Sequence, residues 1–336
     1  MFIVQRITGL ALIVAGVLCA YLLMPARYTP DKLSFPAGTP PEKIVAAVGR
    51  DGLVHSPALL RLALTLTGRM KKVTPGTYAF SGGEDFAEVF RILSHGGLRE
   101  TVRVTIPEGY TASQIAGILQ DNGLLTSTGE FMDELNHPEH YASATPFLIT
   151  SLQRDPPQSG PPLEGFLYPA TYDFYVGAPP ERLIEKMLRA FAHNLPTDTQ
   201  ARLKDLHRSL PEIVIIASLI EREALLDKDR PLISSVIYNR LKIGMPLQID
   251  ATLAFALNKW GQPVYSKDKQ VDSPYNTYKH AGLPPGPIAD PGWASIYAAL
   301  HPAKTKYLYY VAGPGGANEY SATLAGHIHN IRRSRP

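Results

Sequence analysis

The sequence predicts a mixed α+β fold, with an N-terminal membrane helix followed by two α+β regions. Three features support this prediction. An uncharged apolar stretch occupies residues 7–24, a strand–turn–helix unit occurs at 35–54 and again at 106–125, and the C-terminal half alternates helical periodicity with short aromatic strands. With 336 residues, of which 45 % are apolar, the chain is long enough for two domains. The predicted divisions are a cytoplasmic stub and anchor over 1–25, a small α+β module with its connector over 26–160, and a larger α+β domain over 161–336.

The first element is the apolar stretch from Ile7 to Met24, which contains 18 residues and no charge. At about 1.5 Å of rise per residue, a helix of this length nearly crosses a hydrocarbon core of about 30 Å. A cleaved signal peptide is the alternative, but its apolar region is usually shorter, about 7–15 residues, and ends at a small-x-small site. We therefore expect an uncleaved, single-pass membrane anchor.

The second element is the repeated unit. FPAGTPPEKIVAAVGRDGLV (35–54) aligns without a gap with IPEGYTASQIAGILQDNGLL (106–125), and a related strand–helix pattern lies between them at 76–97. Each copy predicts a short strand, a Pro-x-Gly turn, an amphipathic helix and a glycine at the helix C-terminus. The region is predicted to be either a spacer with its own core or a glycan-binding module of LysM-like character.

The rest of the chain begins with an irregular connection. Residues 126–165 contain two proline pairs and no clear periodicity, so they are predicted to lead without regular structure into the second domain. The elements predicted after it are a strand or hairpin at 166–176, helices at 181–195, 210–226, 230–244 and near 292–300, and a strand at 306–313.

Composition and motifs exclude several classes of function. The net charge is +3, from 33 basic and 30 acidic side chains, and no concentrated basic stripe is present, so we expect no nucleic-acid partner. Cys19 is the single cysteine, which excludes an intrachain disulfide and a cysteine-based zinc site. His327 and His329 are two residues apart, which is wrong for a helical metal pair, and no Gly-x-Ser-x-Gly motif occurs. We expect neither a metal nor an organic cofactor.

The helix predicted at 210–226 is the strongest position for chemistry. It is apolar on every side from Ile213 to Ile220, which predicts a helix buried in a domain core, and Glu221 follows directly. A carboxyl group at the edge of such a helix is partly desolvated, and desolvation raises the pKa as a general acid requires. Glu223 lies about 200° further around the helix, so one glutamate is predicted to face a pocket and the other a salt bridge or solvent. The alternative is that both belong to a solvated helix end.

Five segments of the chain are long and unusual in composition. They are LEGFLYPATYDF (163–174), ASLIEREA (217–224), VIYNRLKIGMPLQIDATLAFAL (236–257), SPYNTYKHAGLPPGPIADPG (273–292) and KTKYLYYVAGPGG (304–316). In this order they resemble the signature segments of the endolytic transglycosylase family MltG (YceG-like), and the resemblance includes the anchor and the LysM-like region. One departure is Asp250-Ala251-Thr252, where many relatives have a proline after the aspartate.

The resemblance implies an endolytic lytic transglycosylase acting on peptidoglycan. Such an enzyme cleaves the bond from N-acetylmuramic acid to N-acetylglucosamine within glycan strands and leaves a 1,6-anhydro-muramyl end without using water. The resemblance assigns the catalytic acid to the first glutamate of Ala-Ser-x-x-Glu-x-Glu, which is Glu221 here. One carboxyl group would protonate the leaving oxygen and then accept the proton of the 6-hydroxyl, unlike the carboxyl pair of ordinary glycosidases.

The resemblance also implies a location and partners. We expect a single-pass protein of the bacterial inner membrane, with its catalytic domain on the periplasmic face. Its partners would be peptidoglycan glycan strands and the peptidoglycan synthases beside which nascent strands are trimmed or terminated.

Substrate contacts are expected from polar and aromatic side chains on turns, because these groups suit acetamido sugars. The candidates are Tyr275, Asn276, Thr277, Tyr278, Tyr238, Asn239, Gln248, Asp250 and Glu164. For each tyrosine the alternative is a core aromatic with one hydrogen-bonded hydroxyl. Asn239 could instead brace its helix, and Glu164 could stabilise a turn.

Two other functions stay open at this stage. A hydrolytic muramidase would share the substrate and the acid, and would add a partner carboxylate such as Asp250 or Glu164 to activate water. A non-enzymatic, wall-binding scaffold would use the same grooves and would keep its biological activity after Glu221→Gln. An acid at the end of a buried helix favours the enzyme over the scaffold.

Overall fold

A computed structural model of the protein describes residues 32–80, 84–98 and 100–334 and confirms the mixed α+β fold. The predicted membrane helix at 7–24 lies outside these residues, and none of the helices within them has the length and apolar character needed to cross a bilayer. The chain forms two compact units. Of the described residues, the first unit comprises those from 32 to 102 together with Tyr175–Ala178, and the second comprises Arg103–Phe174 and those from 179 to 334.

The first unit has a strand–helix–helix–strand order followed by a third helix. Its elements are β1 (Lys32–Phe35), α1 (Pro41–Arg50), α2 (Pro57–Leu66), β2 (Gly76–Ala79) and α3 (Phe86–His95). β1 and β2 are antiparallel, with Leu33 opposite Tyr78. Buried apolar side chains of all three helices, such as Ile44, Leu60 and Val89, form the core. The sequence patterns did not predict α2, which begins at a Ser-Pro pair whose serine accepts a hydrogen bond from Leu59 N–H.

The two copies of the repeat have the predicted local structure. The second copy begins at Ile106, directly after β3 (Thr101–Thr105), and comprises a turn and α4 (Ala112–Asp121). The turn glycines, Gly38 and Gly109, have φ values of 84° and 76°, in the left-handed region where a side chain is strained. The copies lie in different units, because β3 pairs with β4 (Thr171–Tyr175). The boundary between the compact units therefore falls near residue 103, whereas the sequence patterns predicted a division at 160.

The prediction that residues 126–165 are irregular was wrong for two segments. α5 (Thr128–Glu134) and α6 (Pro146–Arg154) are short helices within this stretch. The side chain of Ser127 accepts a hydrogen bond from Gly129 N–H at the start of α5, and Pro146 occupies the first turn of α6. Helices of seven and nine residues make about two turns, which is too short for apolar periodicity to be recognised.

The remaining helices surround one central helix. They are α7 (Pro180–Asn194), α8 (Thr199–Leu206), α9 (Leu210–Glu223), α10 (Arg230–Lys242), α11 (Asp250–Ala256) and α12 (Trp293–Leu300). The central helix is α9, which packs against α6, α10, α11 and α12. Every residue from Ile213 to Ile220 is buried, as the sequence predicted. β5 (Tyr309–Ala312) and β6 (Asn318–Ser321) form an antiparallel pair, and α13 (Leu324–Ser334) packs on it.

Two buried carboxyl groups support this core. Glu164 is 6 % exposed and accepts a hydrogen bond from Ala112 N–H (3.0 Å), at the start of α4. Asp290 is fully buried and accepts from Leu167 N–H (2.7 Å). Burial raises the pKa of Glu164 to about 7. Burial, together with the charge of Glu164, raises the pKa of Asp290 well above its usual range.

We expect the free energy of unfolding to fall as the pH rises from about 4.5 to about 7. Across this interval folded Glu164 holds a proton that the unfolded chain loses, since its pKa is raised from 4.5 to about 7, and linkage then lowers stability. Glu164→Gln keeps an acceptor for Ala112 N–H and removes the titration, so its profile should be flatter. Urea unfolding at several pH values in this range measures the difference, and identical slopes for both proteins would contradict the prediction.

Candidate active site

The C-terminal end of α9 places its two glutamates in different surroundings. The side chain of Glu221 is 6 % exposed, and its Oε1 lies 3.1 Å from Nη1 of Arg230. Its Oε2 accepts a hydrogen bond from Gly292 N–H (3.0 Å). The carboxyl group of Glu108 also lies against Gly292, and burial and the charge of Glu221 raise the pKa of Glu108. Glu221 is thus paired with a cation and a backbone donor inside a polar cluster.

Glu223 lines a pocket instead. The hydroxyl of Tyr310 donates to its Oε2 (2.8 Å), and no salt bridge to Glu223 is formed among the described residues. Burial raises the pKa of Glu223 to about 7; the hydrogen bond from Tyr310 acts in the opposite direction, and the charge of Asp250 adds to the increase. The pocket has a volume of about 280 Å³. It is lined by Arg222, Glu223, Asp250, Ala251, Ala254, Lys259, Trp260, Gly261, Gln262 and Val264.

The other charged side chains of the pocket are held by their neighbours. Asp250, at the start of α11, accepts a hydrogen bond from the hydroxyl of Tyr278 (2.6 Å). Lys259 donates to Asp268 (2.8 Å). The pocket therefore presents a carboxyl group that titrates near neutral pH beside a second carboxylate with a fixed orientation. This combination is suited to acid–base chemistry.

Three of the predicted substrate ligands stabilise the loop from 269 to 278. Tyr275 is 7 % exposed and its hydroxyl donates to Ser159 C=O (3.1 Å). Asn276 is fully buried, and its amide donates to the carbonyls of Lys269 and Val271. Thr277 is 1 % exposed and accepts from Ile249 N–H (3.0 Å). In this conformation these three side chains therefore stabilise the backbone around the candidate site.

Of the other predicted ligands, some hydrogen-bond to backbone carbonyls and others lie at the protein surface. Tyr238 donates to Ala299 C=O (2.9 Å), and Asn239 donates to the carbonyls of Thr305 and Tyr307. Gln248 is exposed, with a φ of 54°, and its N–H donates to Thr277 C=O. Glu164 binds the start of α4 as described. Of the predicted set, Asp250 lines the pocket, and Tyr278 reaches it through Asp250.

Sequence reasoning did not single out Arg222, Lys259 and Trp260. Trp260 is one of two tryptophans in the chain and directly precedes Gly261 in a loop, which is a signal for an exposed aromatic platform. Arg222 lies between the two glutamates in the sequence and had no role assigned to it. The structure stacks it on Trp260, with the guanidinium carbon 4.4 Å from the ring centroid.

One group of side chains has a composition that suits a metal. The candidate ligand atoms of His137, Glu139 and His140 lie within 4.8 Å of one another on the surface of the second unit. Their imidazoles are already hydrogen-bonded, His137 to Glu139 and His140 to Glu134. Within the described residues, the pocket at Glu223 is lined by carboxyl groups and contains no histidine, so this group lies outside the candidate active site.

Comparison with known proteins gives a consistent result. Residues 33–333 match the model of the YceG-like family. The endolytic murein transglycosylase of Bacillus subtilis is 32 % identical over 304 residues, which cover 89 % of this chain and 83 % of the relative. The protein of the same name from Streptococcus pneumoniae (strain D39) is 32 % identical over 98 % of this chain, which spans 64 % of its length. A crystal structure of a YceG-like protein from Listeria monocytogenes has a TM-score of 0.60 and 30 % identity, covering 90 % of this chain and 99 % of that one.

Proposed function

This chain belongs to the YceG-like family, and we propose that it cleaves murein glycan strands as an endolytic transglycosylase with Glu223 as its general acid and base. The activity follows the curated relatives, which are named endolytic murein transglycosylases and are similar over most of the chain. The observation that supports the choice of acid is the position of Glu223: it is a half-buried carboxyl group at the wall of the pocket, and burial raises its pKa to about 7.

The surroundings of the two glutamates decide between them. A general acid must carry a proton at the working pH, which favours a carboxyl group that is desolvated and free of a cation. Glu221, the acid assigned from the family resemblance, has the guanidinium of Arg230 at 3.1 Å and an N–H donor on its other oxygen, and it is not among the residues that line the pocket. Glu223 has a phenol as its hydrogen-bond partner and forms no salt bridge among the described residues; burial raises its pKa, although the charges of Arg222 and Arg240 act in the opposite direction. We therefore propose that Glu221 positions the end of α9.

The proposed reaction uses one carboxyl group twice. Protonated Glu223 donates its proton to the glycosidic oxygen as the bond from C1 of muramic acid to that oxygen breaks. The 6-hydroxyl oxygen of the same sugar then bonds to C1, and its proton passes to the Glu223 carboxylate, which restores the acid. No water is consumed. The carboxylate of Asp250, oriented by Tyr278, stabilises the positive charge that develops at C1.

The rate should fall about tenfold per pH unit above a pH of about 7, because Glu223 must be protonated to start the reaction. The hydrogen bond from Tyr310 lowers the pKa of Glu223, so Tyr310→Phe should raise this pKa and move the alkaline limb to higher pH. The measurement is kcat/KM against pH for both proteins. An unchanged limb in Tyr310→Phe would show that another group titrates.

The muramidase alternative requires a second carboxylate that activates water. Of its two candidates, Glu164 is buried beside the start of α4, which leaves Asp250 in the pocket. Product analysis in H₂¹⁸O separates the reactions. We expect 1,6-anhydro-muramyl ends without ¹⁸O from both the wild type and Asp250→Asn. Reducing ends carrying ¹⁸O would establish the muramidase, and binding without cleavage would favour the scaffold.

Two further parts of the proposal concern the location of the protein and the role of its first unit. The apolar stretch at 7–24 supports an uncleaved anchor in the inner membrane, with the active site on the periplasmic face beside the synthases of nascent strands. The strand–helix–helix–strand order of the first unit supports a LysM-like, glycan-binding role. Membrane fractionation after a carbonate wash tests the anchor: a protein released into the wash would contradict it.

A further inference from the structure

We propose that Arg222 and Trp260 form an anion subsite that binds a carboxylate carried by the 3-substituent of muramic acid. This inference rests on the proposed function, since it concerns the same pocket and the same substrate. It adds a group that determines which strands are bound.

Arg222 differs from the other charged residues of the pocket in its partners. Glu223 is hydrogen-bonded to Tyr310, Asp250 to Tyr278 and Lys259 to Asp268. Among the described residues, Arg222 forms no salt bridge, whereas the neighbouring Arg230 is paired with two carboxylates. Burial lowers the pKa of the Arg222 guanidinium, whereas the nearby charges of Glu221 and Glu223 act in the opposite direction. Arg222 is exposed, so a bound anion could form the salt bridge that the guanidinium lacks among the described residues.

The guanidinium is held in a defined orientation. Its Nη1 donates to Gly109 C=O (3.1 Å), and its guanidinium carbon lies over the ring of Trp260, 4.4 Å from the ring centroid. A β-carbon at Gly109 would lie 3.3 Å from the same Nη1, so the left-handed glycine also makes room for this approach. One N–H is used by the carbonyl, and the other donors of the fork are available to a carboxylate. Stacking on an aromatic ring fixes such a fork with little loss of side-chain entropy on binding.

The chemistry of the substrate supplies the anion. Muramic acid carries a lactyl ether at C3, whose carboxyl group is free in peptide-free strands and amide-linked to the stem peptide elsewhere. In peptide-bearing strands the carboxylates of the peptide take its place. C3 lies on the same ring as C1, the atom whose bond Glu223 would cleave. A carboxylate on this substituent is therefore within reach of Arg222, the residue adjacent to Glu223 on the pocket wall.

The test compares the full chain, in detergent, on strands with and without the carboxylate. Peptide-free strands and intact strands are each used directly and after conversion of their carboxylates to methylamides. Arg222→Ala should raise KM about 10-fold to 100-fold on at least one strand with free carboxylates, the range expected for a charge-assisted hydrogen bond, with the comparison made at about pH 6. Its alkaline limb should move to higher pH, because the charge of Arg222 lowers the pKa of Glu223. Conversion of the carboxylates to methylamides, which we call capping, should raise the KM of the wild type by a similar factor. On capped strands Arg222→Ala should cause no further increase in KM. Arg222→Lys should lose less than Arg222→Ala.

The strands on which Arg222→Ala raises KM identify the source of the anion. An increase on peptide-free strands assigns the lactyl carboxylate, and an increase on intact strands alone assigns the stem peptide. If Arg222→Ala raised KM equally on capped and uncapped strands, Arg222 would only tether Gly109 and the proposal would be overturned. An unchanged KM on every strand would also overturn it. Arg189→Ala, which removes a surface arginine paired with Glu185, is the matched control and should cleave all strands normally. The proposed function is tested separately by comparing the cleavage of capped strands by the wild type and by Glu223→Gln.

Discussion

Replacing Glu223 with glutamine is expected to lower kcat on murein strands by about 10²-fold to 10⁴-fold, with KM nearly unchanged. Glutamine has almost the same shape and still accepts a hydrogen bond from Tyr310, so the pocket should keep its structure. What it lacks is the proton that the glycosidic oxygen must receive. The measurement is the initial rate of formation of anhydro ends at saturating substrate, at about pH 6.

Glu223→Asp is the matched variant for this prediction. It keeps an acid and shortens the side chain by one methylene, so its rate should lie between those of the wild type and Glu223→Gln. Circular dichroism and thermal unfolding check that each variant is folded. A Glu223→Gln protein that is folded and retains more than about a tenth of the wild-type kcat would refute its role as the acid.

Replacing Arg230 with leucine is expected to destabilise the protein by about 3–5 kcal/mol, the usual effect of removing one partner of a buried ion pair. The side chains of Arg230 and Glu221 are 12 % and 6 % exposed, so the variant leaves a carboxylate buried without its cation. Arg230 also donates to Ser295, a buried hydroxyl. Urea unfolding measures the change in the free energy of unfolding.

The control for this prediction removes an exposed ion pair. Arg182 is 71 % exposed and pairs with Glu185, so Arg182→Leu should change stability by about 0–1 kcal/mol. In a Glu221→Gln background no charge is left behind, and the effect of Arg230→Leu should shrink by at least about 1 kcal/mol. A loss of under about 1 kcal/mol for Arg230→Leu alone, or strict additivity, would contradict a positioning role for Glu221.

The buried helix was predictable because its signal is local. An uninterrupted apolar run from Ile213 to Ile220, followed by two glutamates, indicates a core helix that ends at polar chemistry, and the angle between Glu221 and Glu223 predicts separate surroundings. Which glutamate faces the pocket was not predictable from the helix. It depends on Arg230, nine residues further on, and on Tyr310, which β5 brings to Glu223 from the far end of the chain.

The substrate-binding residues were harder to predict for a related reason. Polar and aromatic side chains on turns suit both sugar binding and the support of irregular backbone. In the loop that contains Asn276 and Thr277, buried carbonyl and N–H groups need partners, and these side chains supply them. Arg222 and Trp260 were missed for a different reason: the sequence does not show that they contact each other, because the contact forms only where the loop after α11 meets α9.

The measurement that tests the central claim most directly is a mass-spectrometric comparison of the products of Glu221→Gln and Glu223→Gln on the same peptidoglycan. Glutamine at 221 keeps one acceptor oxygen, for either Arg230 or Gly292 N–H, and places an NH₂ donor against the other, so this variant should lose some stability but should still produce 1,6-anhydro-muramyl ends once folded. Glutamine at 223 should produce none above background. Anhydro ends from Glu223→Gln, together with a folded but inactive Glu221→Gln, would contradict this account and return the catalytic role to Glu221.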